Sequence, residues 1–117
     1  MTDLATYLAG LKAGDVVIIQ QRDGYREDRV TKITPTQVVV GDGRYRRTSK
    51  GYGLGSLITT DRWLSRSDIV LPNPRIRMIA TIRSVKETLR QDITLSAIPA
   101  MRAALDRAEA ALRDGEG

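Results

Sequence analysis

Between Asp15 and Leu57 the chain is cut into short apolar or alternating runs, each closed by a turn signal. That rhythm constrains the fold more than any other feature, because runs this short with turns this close specify small antiparallel strands. Val16-Val17-Ile18-Ile19 is the β-branched run of a buried strand. Asp23-Gly24 follows as a hairpin signal, since Gly accepts the positive φ of a tight turn. Tyr25–Thr34 reads as the returning strand, charged on both faces, with Val30 as its main inward contact. Pro35 breaks the ladder between two threonines, Gln37–Val40 supplies a third strand, and Gly41-Asp42-Gly43 turns it back. Arg44–Thr48 is the fourth strand. Gly51, Gly53 and Gly55 leave the next segment flexible or sharply turned, and a fifth strand is expected from Leu57-Ile58-Thr59-Thr60 or from Ile69-Val70-Leu71. Five short antiparallel strands of this composition predict a small SH3-like barrel.

Helices flank it. Thr2 or Asp3 can cap a short helix to about Ala9, with Leu4, Tyr7, Leu8 and Leu11 as its apolar side. Asn73-Pro74 opens a second helix, with Asn as N-cap and Pro at the first helical position. There Met78, Ile82, Val85 and Leu89 share a stripe. After Gln91–Leu95, Ser96 is placed to cap a last helix carrying Ile98, Met101, Leu105, Ala108 and Leu112, with Gly115 as its stop. Arg102, Asp106, Glu109 and Arg113 form its outer charge ladder. Facing stripes across a short loop predict an antiparallel αα-hairpin in which Leu89 and Leu105 are buried. The expected class is therefore α+β: residues 1–72 as N-terminal helix and barrel, and 73–117 as a helical hairpin packed on the barrel in a single structural unit.

With 117 residues the chain is one domain's worth, and its core must be made without Phe. It has no Cys and no His, which excludes disulfides, thiolate nucleophiles, Cys-based metal sites and the commonest general base. No pair of carboxylates has the spacing of a catalytic dyad, and Gly51-x-Gly53-x-Gly55 lacks the Lys-Ser/Thr that completes a phosphate loop. No catalytic residue, metal ligand or cofactor is assigned; the expectation is a protein that is not an enzyme. No apolar run approaches a membrane span, and the N-terminus has no basic region of the secretory kind, so neither a membrane helix nor a signal peptide is expected.

The net charge of +5 is concentrated in two blocks, each of net +4: residues 43–60 and residues 75–91. In the first, Arg44, Tyr45, Arg46, Arg47, Lys50 and Tyr52 interleave cations with rings. Cations neutralise phosphates and a ring can stack on an unpaired base, so this segment, with Arg83, Lys86 and Arg90, is the candidate nucleic-acid site. An exposed basic edge strand that discourages aggregation has the same composition. Alternation also places Arg44 and Arg46 on one strand face and Tyr45 and Arg47 on the other, so a flat strand cannot present all four together. Trp63, Leu64 and Ile79 are the candidate protein-binding residues, as apolar groups outside the main stripes.

The segments Gly14-Asp15-Val16-Val17, Val30-Thr31-Lys32-Ile33-Thr34-Pro35-Thr36-Gln37-Val38-Val39-Val40 and Arg44-Tyr45-Arg46-Arg47-Thr48, with the two terminal helices, resemble the small barrel proteins of bacteriophage and prophage genomes. The resemblance covers roughly residues 12–112 and implies a viral origin and action in a bacterial host's cytoplasm. Such proteins are largely without assigned activity, and the partner the resemblance implies is a host protein. The basic segment makes DNA or RNA a candidate partner, and the self-complementary ladder of Arg102, Asp106, Glu109 and Arg113 a homodimer.

Overall fold

Five antiparallel strands, lying in the order Gly43–Arg46, Gln37–Val40, Gly24–Ile33, Val16–Gln21 and Asp68–Val70, form one curled sheet; in the chain one short helix precedes them and two long ones follow. The computed structural model describes residues 3–48, 53–58 and 67–116. The chain divides into two compact units, Met1–Leu71 and Pro72–Gly117.

In the first unit, Asp3 caps α1 (Leu4–Ala9) by accepting the Thr6 N–H at 2.8 Å. Strand β1 (Val16–Gln21) pairs with β2 (Gly24–Ile33) across the Asp23-Gly24 hairpin, where Gly24 holds φ +129°. β1 is buried on both faces through Val17, Ile18 and Ile19, as its unbroken β-branched run requires. β2 is largely half-exposed and buries Val30; between Val30 and Lys32 its pairing with β3 (Gln37–Val40) shifts by a bulge. The bulge sharpens the local twist and helps the sheet to curl. β4 (Gly43–Arg46) starts one residue earlier than the alternation suggests, and β5 (Asp68–Val70) pairs back onto β1. Of the two expected sources of the fifth strand, the second supplies it.

The segment Gly55–Ile58 links the two edges of the sheet. Its outer partner is β4, through Arg46 N–H to Ser56 O at 2.9 Å and Ile58 N–H to Arg44 O at 2.7 Å. Its other partner is the β5 edge, through Leu57 N–H to Ser67 O at 2.9 Å and Ile69 N–H to Gly55 O at 2.8 Å. Leu8, Leu11, Val17, Ile19, Val30, Val38, Val40, Tyr45 and Ile69 fill the interior, with Leu54 and Leu57 packed against them. Side chains of this size each contribute roughly 1.5–3 kcal/mol on full burial. Among the described residues the core is therefore branched aliphatic, with a single buried ring from Tyr45.

In the second unit, Asn73 caps α2 (Pro74–Leu89) by accepting the Ile76 N–H at 2.9 Å. The turn before α3 (Ile98–Glu116) is capped by Thr94 rather than Ser96: Thr94 Oγ1 accepts the Ala97 N–H at 3.2 Å, while Ser96 bonds to Thr94. The two helices pack on one another.

Their contact departs from the leucine stripe. Leu89 is 39% exposed and Leu105 53% exposed, against the expectation that both are buried. Met101 and Ala104 are buried instead, and Ala108, Ala111 and Gly115 continue the same line in half-buried positions. Gly115 does not stop the helix; it lies inside α3, and a Cβ there would sit 2.8 Å from the Met78 Cβ. Small residues let the backbones approach, and the approach turns α3 by roughly 60° relative to a stripe centred on its leucines. The leucines end up beside the contact.

Candidate functional site

The basic segment of β4 is divided by the pleat. Arg44 and Arg46 project outward and are exposed, with Arg44 donating to Gln37 Oε1 at 2.9 Å. Tyr45 points inward and is only 4% exposed, so its ring belongs to the core and offers no stacking face. Arg47 turns to α1. Its guanidinium donates from Nε to Leu8 O at 3.1 Å, from Nη2 to Ala9 O at 2.6 Å and from Nη1 to Thr34 O at 3.0 Å.

That fork satisfies the orphan carbonyls at the end of a six-residue helix and ties it to the β2–β3 turn. Arg47→Ala should therefore lower stability by roughly 1–2 kcal/mol, with Arg47→Lys recovering little because an ammonium cannot span three carbonyls in this geometry. Chemical denaturation of the three proteins checks this. Lys50 and Tyr52 lie outside the described residues, as do Trp63 and Leu64.

Around Tyr45 the barrel interior becomes polar. Ser67, itself buried, lies beside the phenol, and Gln21 Nε2 reaches Ser67 Oγ at 3.5 Å. Arg26 and Asp28 face the phenol from β2, paired at 3.6 Å, and the Arg26 Nε is buried without a hydrogen-bond partner. Burial pushes the Tyr45 phenol above its usual 10.0; Arg26 pulls the other way and Asp28 and Asp68 add to the rise. A raised folded-state value means that the fold favours the neutral phenol. Its contribution is complete below pH 10 and is lost as pH rises beyond the unfolded value toward the folded one. Stability measured across the alkaline range should fall more steeply for the wild type than for Tyr45→Phe.

The remaining candidates are on the hairpin. Arg83 is ion-paired with Glu87 at 3.8 Å, and Lys86 and Arg90 are exposed. An open groove of about 390 Å³ is lined by Met78, Ile79, Ile82, Arg83, Lys86 and Leu112. It brings together Ile79, expected as a protein-binding residue, with Arg83 and Lys86, expected as phosphate contacts. Leu89, Leu105 and Leu112, expected in the core, are the large apolar groups left exposed on the two helices. The signal that could have exposed them is the spacing of Ala104, Ala108, Ala111 and Gly115 at four, three and four, a competing stripe of small residues.

Among the described residues, no helix is long and apolar enough to cross a membrane. Comparison with protein-family models, with curated proteins and with solved structures returned no match.

Proposed function

We propose that this chain is a small non-enzymatic binding protein that docks a protein partner through the apolar side of its C-terminal hairpin. The observation carrying this reading is the exposure of Leu89, Leu105 and Leu112 beside the groove of Met78, Ile79 and Ile82. An apolar surface with charged margins is what a helix-borne partner covers. Arg83 and Lys86 at the groove call for carboxylates beside the partner's apolar residues. The sequence resemblance adds a phage or prophage origin and a bacterial cytoplasmic setting, with a host protein or another copy as the partner.

Nucleic-acid binding is the second reading, supported by Arg44 and Arg46 standing exposed on one strand face. It lost its ring when Tyr45 entered the core and one cation when Arg47 capped α1. Two variants separate the readings: Leu105→Asp on the hairpin and Arg44→Ala with Arg46→Ala on β4. Protein association that survives nuclease and is lost in Leu105→Asp supports the hairpin. Retention of oligonucleotides at roughly 50 mM salt, lost in the β4 variant, would replace it with the nucleic-acid reading.

A further inference from the structure

Resting on that reading, we infer that the hairpin's partner is a second copy of this chain, the two hairpins closing into an antiparallel four-helix bundle about a two-fold axis parallel to the helices. The mutual contact of the two helices leaves apolar residues to one side of it. Those residues are half of a bundle core. At about 100° per residue, Ile82 and Leu89 on α2 and Leu105 and Leu112 on α3 lie roughly 30–80° from the centre of the α2–α3 contact. The groove lined jointly by Ile82, Lys86 and Leu112 places these flanks on the same side of the hairpin. Beyond them, at roughly 90–120°, stand Lys86 on α2 and Glu109 on α3. Apolar positions flanked by charged ones are the order found at a bundle interface.

Charge selects the occupant. α2 carries four cations against one acid, and α3 three cations against four acids. The stated two-fold lays α2 of one copy on α3 of the other, so the basic helix meets the acidic one twice. The axis preserves height along the bundle, and the close approach of Met78 to Gly115 sets the register between α2 and α3. That register brings Lys86 of one copy within about one helical turn of Glu109 of the other, Leu89 beside Leu105, and Ile82 beside Leu112. Glu109 already holds Arg113 in an exposed intrahelical pair, of a kind worth little in solvent, which leaves its second oxygen for Lys86 of the other copy. The same juxtapositions occur twice, as an isologous interface requires.

Light scattering at low salt, over micromolar to millimolar full-length protein, tests the arrangement. The wild type should reach twice 12.9 kDa. Lys86→Glu and Glu109→Lys should each weaken the dimer about tenfold or more, and the two together should restore most of the loss. Circular dichroism verifies that each variant folds. A wild type that stays monomeric throughout overturns the inference, as does a double variant no better than the singles. If the wild type is monomeric while Leu105→Asp still abolishes nuclease-resistant association with another protein, the docking reading survives and the second copy is excluded. If Leu105→Asp changes neither, both fall.

Discussion

Tyr45→Ala should lower the stability of the barrel unit by roughly 3–5 kcal/mol, the usual cost of deleting a buried ring. The residue is 4% exposed, is the one aromatic side chain in the buried core cluster, and is bridged by backbone pairing to Leu57 where the sheet edges meet. Against a total of about 5–15 kcal/mol for an ordinary domain, that loss is a large share. Tyr45→Phe keeps the ring and removes only the hydroxyl, so it should cost far less, about 1 kcal/mol. Denaturant midpoints for the two variants test this. A small effect for alanine would mean that the ring is dispensable to the core.

Gly55→Ala should be nearly as costly, at roughly 2–5 kcal/mol, for a backbone reason. Gly55 holds φ +81°, a conformation disfavoured for any residue with a Cβ. An added Cβ would also lie 2.7 Å from the Ile69 carbonyl oxygen, and that oxygen belongs to β5, which has no freedom to retreat. Gly55 N–H also donates to Arg46 O at 2.8 Å, so the strain falls where β4 and β5 are joined. Gly14 holds φ +95° but has open space around its missing side chain, and alanine there should cost only the backbone term. Comparing the two alanine variants by thermal denaturation isolates the contact with Ile69.

The parts of the fold legible from sequence are those set within a few neighbours. Asn73-Pro74 starts α2 because cap and first turn are local, and Gly24 turns the first hairpin because only its own φ is at issue. The strand pleat likewise announces that Tyr45 and Arg47 leave the face of Arg44 and Arg46. What it cannot announce is where each goes. Arg47 finds its carbonyls on α1, nearly forty residues away, a partnership no spacing rule contains.

The hairpin misled for a different reason. Periodicity weighs Leu105 and Leu112 above Ala104 and Ala111, because burying a leucine is worth more. Close approach at Gly115 and the alanines wins in the two-helix contact, and the leucines are left exposed. The candidate site is therefore half legible: the sequence points to Ile79, Arg83 and Lys86, while its periodicity places Leu89, Leu105 and Leu112 in the core.

The chain has no cysteine, so a single introduced thiol reports its own surroundings. Leu105→Cys and, as a control on the exposed surface of β2, Thr31→Cys can be titrated with a thiol reagent across protein concentration. If the hairpin's apolar side is where protein docks as a second copy, the thiol at position 105 reacts progressively more slowly as concentration rises, while that at position 31 does not change. Equal, concentration-independent rates at the two positions would contradict the account.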